Sequence, residues 1–277
     1  MQRAGTIGGV TTGPGVTERG GWEVPDFRAT VLSRRIHTVA LVIPVINEGP
    51  RIRRQIERIA ELAPAVDVVI ADGGSTDGSL DEVFLRAQGV RALLVKTGPG
   101  RLSAQLRMAY AWCLEEGYDG IVTVDGNGKD GVEAIDTFVA KLREGHDYVQ
   151  GSRYLPGGVA ENTPLDRFLA GRFLHAPVLS LAARHWFTDT TNGFRAYSAR
   201  YLRAPGVAPF RSVFDRYELL FYLTIRASRL GFRVAEIPVA RRYPADAPPP
   251  TKIAGWRGRF TIIDELFRVA LGFFHPR

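Results

Sequence analysis

The chain has 277 residues, 45% hydrophobic and 23% charged, so it has the material for a packed core, as one large domain or two small ones, and wholesale disorder is excluded. A formal charge of +7 asks for a polyanionic partner, which on charge alone is nucleic acid, anionic lipid or a phosphorylated substrate. The single cysteine, Cys113, cannot close an internal disulfide, no Cys/His spacing resembles a zinc site, and no run of roughly 18 apolar residues marks a membrane span, which together fit a reducing cytoplasm.

Residues 1–38 read as a flexible arm, because the stretch up to about Asp26 is rich in Gly and Thr, carries Pro14 and Pro25, and has neither helical nor strand periodicity. Order is expected from Val39, where Val39-Ala40-Leu41-Val42-Ile43 is the continuous apolar run of a strand buried on both faces, ended by Pro44. Pro50 suits a first helical turn, and Ile52, Ile56, Ile59 and Ala63 follow at helical spacing. The unit repeats through Val68-Val69-Ile70, Leu93-Leu94-Val95 and Ile121-Val122-Thr123-Val124, each followed by a helical pattern. Such alternation specifies an α/β fold with a mostly parallel central sheet flanked by helices.

After Val149 the rhythm changes to a long helix over 165–184, a short strand at Phe194-Arg195-Ala196-Tyr197, a helix over 219–229 and a strand over 234–239. A proline-rich loop over 241–255 then leads to a last helix over 258–274. That helix places Phe260, Ile263, Phe267, Ala270 and Phe274 on one side, a stripe that suits either packing on the sheet or an anionic bilayer surface. The chain thus divides into an arm (1–38), a catalytic-type domain (39–240) and an acceptor-side loop with an amphipathic C-terminal helix (241–277).

In an open α/β sheet ligands collect beyond the carboxyl ends of the strands, so the residues after each apolar run are the informative ones. They are Pro44-Val45-Ile46-Asn47-Glu48, Asp72-Gly73-Gly74-Ser75-Thr76-Asp77-Gly78, Lys96-Thr97-Gly98-Pro99-Gly100-Arg101 and Asp125-Gly126-Asn127. The second loop lets backbone approach a ligand while a carboxylate accepts from a base or ribose; by itself it reads equally as a turn with Asp77 as helix cap. In the fourth, Asp125 and Asn127 project the same way and offer hard oxygens to magnesium or manganese, where an isolated Asp-Gly would read as a turn.

Pro44 to Glu48 resembles the Pro-x-Tyr-Asn-Glu opening of family 2 glycosyltransferases, Asp72 to Ser79 resembles their Asp-Asp-Gly-Ser-Thr-Asp-Gly loop, and Asp125-Gly126-Asn127 stands at their Asp-x-Asp motif. Gly151-Ser152-Arg153-Tyr154, Gly157-Gly158, Glu161-Asn162-x-Pro164 and Asp189-x-x-Asn192-Gly193-Phe194-Arg195 resemble the acceptor half of dolichyl-phosphate and polyprenyl-phosphate mannose synthases. The resemblance runs in order from about 39 to 252 and implies a GT-A fold and sugar transfer from a nucleotide-diphosphate sugar, with UDP or GDP as carrier. It implies a donor site of Pro44, Val45, Asn47, Glu48, Asp72, Gly73, Ser75, Arg101, Gly126, Asn127 and Lys129, with a divalent cation, magnesium or manganese, at Asp125 and Asn127. Asp125, Asp189 and Arg153 would be catalytic, and Arg153, Asn192, Arg195, Arg241 and Lys252 would hold a phosphorylated acceptor.

Three positions depart from the pattern. Gly73 and Asn127 each replace an aspartate, and Lys129 stands where the relatives offer a neutral metal ligand. An ammonium cannot coordinate a cation, so Lys129 either swings away or contacts the diphosphate and partly replaces the metal's charge.

The leading expectation is transfer to a polyprenyl phosphate, from a cytoplasmic protein peripheral at the inner membrane face. A phosphate acceptor is already an anion and needs no base. The rival acceptor is a hydroxyl on a soluble metabolite or glycan, with Asp189 as base and Glu161 or Glu218 behind it. A nucleotidyltransferase would carry a glycine-rich basic loop where Asn47-Glu48 stands, and a nucleic-acid binder would interleave its basic residues with exposed aromatics, so neither fits and no nucleic-acid partner is expected.

Overall fold

The computed structural model describes residues 10–12, 21–244 and 255–276. Lys252 lies outside them. In chain order the elements are β1 (Val10–Thr12), β2 (Phe27–Val31), β3 (Val39–Val45), α1 (Pro50–Leu62), β4 (Asp67–Asp72), α2 (Glu82–Ala87), β5 (Ala92–Lys96), α3 (Leu102–Glu115) and β6 (Gly120–Thr123). The second half has α4 (Ile135–Arg143), β7 (Tyr148–Ser152), β8 (Val159–Glu161), α5 (Leu165–Ala170), α6 (Ala176–Ala183), β9 (Arg195–Ser198), α7 (Ala199–Arg203), α8 (Glu218–Arg229), β10 (Val234–Pro238), β11 (Ala240–Arg242) and α9 (Gly255–Ala270).

One sheet runs in the order β1-β2-β5-β4-β3-β6-β9-β7-β10, and β8 pairs with β11 in a small second sheet. The central strands β5, β4, β3 and β6 are parallel, because each is followed by a helix that carries the chain back across a face. The sheet is mixed further out: β2 runs antiparallel to β5, and β9 antiparallel to both β6 and β7. The chain order reverses between β3 and β6, which makes their carboxyl ends the crevice where an open sheet takes its ligand.

The apolar runs behave as their patterning requires. Leu41, Ile43, Val68, Ile70 and Val122 pack with α1, α2 and α4 on one face, while Ala40, Val42, Val69 and Ala71 pack with α3, α6, α8 and α9 on the other. A fully buried side chain of this kind contributes roughly 1.5–3 kcal/mol, so the two layers fix the strand ends that carry the site.

Three expectations are corrected. Phe27–Val31 is a strand of the main sheet, so the ordered domain begins before residue 39; Phe27 and Ala29 are buried, and the alternation was too short to register as a strand. The helix over 165–184 is interrupted by a π-turn at Gly171–His175, because Pro177 has no N–H to return to the carbonyl of Phe173. The last helix buries Leu266, Val269 and Phe274, whereas Phe260, Ile263 and Phe267 of the expected stripe face outward.

Candidate active site

The loops after β3 and β4 are stitched into one wall. Asn47, at a positive φ of 49°, accepts from Thr76 N through Oδ1 at 2.8 Å, and its own N–H donates to Ser75 Oγ at 3.0 Å. Asp72 Oδ1 accepts from Gly74 N, Ser75 N and Ser75 Oγ at 3.1, 2.8 and 2.6 Å, which curls the glycine-rich loop around the carboxylate. Gly73 N donates to Val45 O at 2.8 Å, and a side chain at Gly73 would meet Gln105 Oε1 at 3.3 Å. Glu48 is buried and ion-paired to Arg51 at 3.0 Å.

Gly126 closes the floor. A methyl group there would lie 2.9 Å from Pro44 O and 3.0 Å from Val45 Cγ2, so the Asp125 loop packs directly on the end of β3. Gln55, a polar residue in the buried stripe of α1, holds that loop from behind: Nε2 donates to Asp125 O at 3.0 Å and Oε1 accepts from Gly128 N at 2.9 Å. On the far side of the crevice the exposed Arg101 has its N–H held by Asp215 O and Oδ1 at 3.1 and 3.2 Å. Tyr217, two residues on, feels the charges of both Asp125 and Arg101; burial first, then Asp125, raises its hydroxyl above the ordinary tyrosine value. The loops after β3, β4 and β6 therefore pack against one another.

The Asp125 carboxylate sits among cations. Oδ2 lies 3.1 Å from Arg241 Nη2 and accepts from Asn127 Nδ2 at 3.3 Å, and a methyl at Gly193 would fall 2.4 Å from Oδ1. Arg241 also donates through Nη1 to both oxygens of the buried Asp130, at 2.8 and 2.6 Å. Burial works to lower the Arg241 guanidinium, but Asp130 and Asp125 outweigh it and hold it above its ordinary value. Tyr243 collects the neighbouring cations: Lys129 Nζ stands 4.9 Å from its ring centroid, and the guanidinium carbons of Arg167 and Arg241 stand 5.7 Å away. Burial, then Arg241, lowers the Lys129 ammonium below the ordinary lysine value. Lys129 makes no ion pair among the described residues.

Arg153 and Asp189 form a second buried pair. Asp189 Oδ2 takes Arg153 Nε at 2.7 Å and Arg153 N at 3.2 Å, while Oδ1 takes Arg153 Nη2 at 2.9 Å, Thr191 Oγ1 at 3.1 Å and Thr191 N at 3.2 Å. Burial would raise this carboxyl, but the Arg153 hydrogen bonds and charge outweigh it and hold it below the ordinary aspartate range. Five donors on a depressed carboxylate make a poor proton acceptor, so the expectation of Asp189 as a base is corrected. Behind it, Glu218 Oε2 is taken by Asp215 N and Arg216 N at 3.2 and 2.6 Å, and Glu161 is ion-paired to Arg242 at 3.1 Å.

Arg195 is corrected too. It is buried, with Nε on Asn192 O, Nη1 on Leu220 O and Nη2 on Thr190 O at 2.9, 2.6 and 2.8 Å, so it ties β9 to α8 instead of meeting an acceptor. Asn192 is buried beside it, with Oδ1 on Phe194 N at 2.9 Å and Nδ2 without a partner among the described residues.

For a divalent cation the chain offers Asp125 and, once its amide is turned over, Asn127: as observed, Nδ2 faces Asp125 Oδ2 at 3.3 Å and Oδ1 accepts from Lys129 N at 3.2 Å. Among the described residues no group of three His, Cys, Asp or Glu side chains could hold a metal. One carboxylate with an amide oxygen suffices when substrate phosphates complete the shell, so the donor set fits a cation that is carried with a diphosphate.

Residues 40–214 match the model of glycosyl transferase family 2. The chain is 32% identical over 206 residues to the undecaprenyl-phosphate mannosyltransferase of Micrococcus luteus, covering 73% of this chain and 82% of that one. It is 29% identical over 231 residues to the polyprenol monophosphomannose synthase of Mycolicibacterium smegmatis, covering 82% and 83%. Glucosyl-3-phosphoglycerate synthase of Mycobacterium tuberculosis, solved with Mn2+, UDP and phosphoglyceric acid, superposes with a TM-score of 0.60 at 20% identity over 87% of this chain and 80% of that one. The same protein was also solved with Mg2+ and UDP, at a TM-score of 0.55, 23% identity and coverages of 87% and 81%. The expected GT-A architecture is the one observed.

Proposed function

Because the chain belongs to glycosyl transferase family 2 and is a glycosyltransferase, we propose that it moves a sugar from a nucleotide-diphosphate sugar to a polyprenyl phosphate, the acceptor class of its curated relatives. One observation carries the acceptor assignment: Lys129, Arg167 and Arg241 converge on Tyr243 beside Asp125, while the carboxylates next to them, Asp130 and Asp189, are committed to arginines. Such a site suits an acceptor that arrives as an anion and needs no base.

In this reading the loops at Pro44–Glu48 and Asp72–Ser75 bind base and ribose, and Arg101 and Lys129 face the diphosphate. Asp125 and Asn127 would hold a divalent cation, which when bound supplies positive charge at the leaving diphosphate. Arg153, Arg167 and Arg241 orient the acceptor phosphate. One of its oxygens forms the new bond to the anomeric carbon as the bond to the nucleoside diphosphate breaks, and no proton has to be removed. Lys252 is retained as an acceptor contact from the resemblance alone.

The surface supports work at a bilayer. Leu165, Leu169 and Phe173 on the α5 side, Phe260 and Phe267 on α9, and Leu271 just after it are exposed, and α6, which continues from α5, packs on α9. Among the described residues no helix is long and apolar enough to cross a membrane.

The test is a matrix of UDP- and GDP-linked radiolabelled sugars against undecaprenyl phosphate, undecaprenol and 3-phosphoglycerate. Lipid-soluble label is expected with undecaprenyl phosphate only. Label transferred to undecaprenol or 3-phosphoglycerate, with none on the lipid phosphate, overturns the assignment.

A further inference from the structure

Arg241 is shared between two carboxylates with different surroundings. Its Nη1 is fixed on Asp130, a buried carboxylate on the loop that follows Asp125, at 2.8 and 2.6 Å. Backbone pairing reinforces this grip: Gly131 N donates to Ala240 O at 2.8 Å and Arg242 N to Lys129 O at 2.9 Å, so β11 is clamped to the loop. Nη2 reaches the partly exposed Asp125 at the longer distance of 3.1 Å. The guanidinium therefore has one permanent anchor and one exchangeable contact.

A divalent cation held by Asp125 and a guanidinium 3.1 Å from its Oδ2 would repel each other. The single negative charge of Asp125 cannot neutralise both. With a cation at Asp125, Nη2 would be released while Nη1 stays on Asp130, which would leave a pre-aimed donor among Lys129, Arg153 and Arg167.

We infer that Arg241 is a positioning residue that couples the two substrates: it neutralises Asp125 until the donor's cation does so, and its Nη2 is then handed to the acceptor phosphate. Donor and acceptor would in consequence bind cooperatively, the donor completing the acceptor site. The inference rests on the phosphate-acceptor reading above. Coupling is reciprocal, so the acceptor phosphate must tighten the cation and nucleotide by the same factor.

The experiment is calorimetric titration of the full chain with a ten-carbon prenyl phosphate. Its conditions are the wild type alone, the wild type with Mn2+ and UDP or GDP, Asp125→Asn without metal, and the two backgrounds lacking the Arg241 anchor, Asp130→Asn/Arg241→Gln with and without Asp125→Asn. Each variant is first checked for an unchanged circular dichroism spectrum and a cooperative melt. In the wild type Mn2+ with nucleotide should lower the Kd for the prenyl phosphate about 5- to 150-fold, the usual range of such coupling. Asp125→Asn should reproduce much of that gain without metal, because it releases Nη2.

In the background without Arg241 the gain from Asp125→Asn should vanish. If Asp125→Asn tightens phosphate equally there, general electrostatics explains the effect and the hand-over is wrong. Equal wild-type affinity with and without Mn2+ and nucleotide also overturns it, leaving the acceptor reading intact. Absence of prenyl phosphate binding under every condition overturns the acceptor reading and the inference together.

Discussion

Asp125 Oδ2 and Arg241 Nη2 lie 3.1 Å apart although 116 positions separate the two residues, and this contact joins the loop after β6 to β11. Asp130 and the backbone of Lys129 and Gly131 hold β11 to the same loop. Asp125→Asn keeps the shape and removes the charge, so kcat should fall about 10²- to 10³-fold, the usual loss when a preorganised electrostatic group is removed. A steady-state assay at saturating donor, with a melt to show that folding is retained, checks it.

Gly193 is the neighbour that Asp125 cannot do without. Because a methyl at this position would fall 2.4 Å from Oδ1, Gly193→Ala must displace the carboxylate or the β9 approach. A displacement of this size is expected to lower kcat/KM by about 10²-fold with a stability loss of roughly 1–3 kcal/mol. Unimpaired turnover in Gly193→Ala would show that the carboxylate's position is unimportant.

Asp189 should behave as a structural partner. Asp189→Asn leaves Arg153 without its buried counter-charge and is expected to cost about 3–5 kcal/mol in urea unfolding. Its folded-state carboxyl is depressed, so the stability it contributes is present at neutral pH and is lost as acid titrates it below the ordinary aspartate value of 3.8. Where the variant stays folded, the acid limb of its kcat–pH profile should be unchanged, whereas loss of a general base would abolish that limb.

Glu265 on α9 gives the opposite pH response. Burial, then Glu218, pushes its carboxyl from the ordinary 4.5 up to about 7. Arg216 Nη1, 3.9 Å away, opposes the shift. Between those values the folded chain holds a proton that the unfolded chain releases, so stability declines as pH rises through the window, and the loss is complete above it. Glu265→Gln mimics the protonated form and should raise Tm at pH 8 by roughly 2–4 °C while leaving pH 5 nearly unchanged; scanning calorimetry at both pH values reads the difference.

Lys129 should lessen dependence on added metal. With chelator present, Lys129→Ala is expected to lose about tenfold or more of residual activity relative to wild type, in line with the removal of one charge-assisted contact. Equal residual activity in the two proteins would remove Lys129 from the diphosphate site.

The strands and their loops were legible because a doubly buried strand reads as an unbroken apolar run; Pro44, Asp72 and Asp125 stand at the ends of such runs, and Arg101 ends the loop after a fourth. Residues acting through the packing were not. Asp130 carries no mark of its role until β11 places Arg241 against it, and Arg195 looks like a phosphate ligand until burial shows it bound to carbonyls. Gln55 was the missed signal that the sequence did carry: it stands in line with Ile52, Ile56 and Ile59 on the buried face of α1, and a polar residue there needs partners, which turn out to be Asp125 O and Gly128 N. Tyr217 and Tyr243 gave no such sign, since their role depends on cations brought from distant segments.

Phosphorus NMR of a prenyl phosphate mixed with the enzyme, its nucleotide-diphosphate sugar and Mn2+ tests the central claim most directly, because it reports which atom of the acceptor receives the sugar. The account requires the monoester resonance to be replaced by a phosphodiester in step with the appearance of nucleoside diphosphate. Release of nucleoside diphosphate with sugar transferred elsewhere and the monoester resonance unchanged would contradict it.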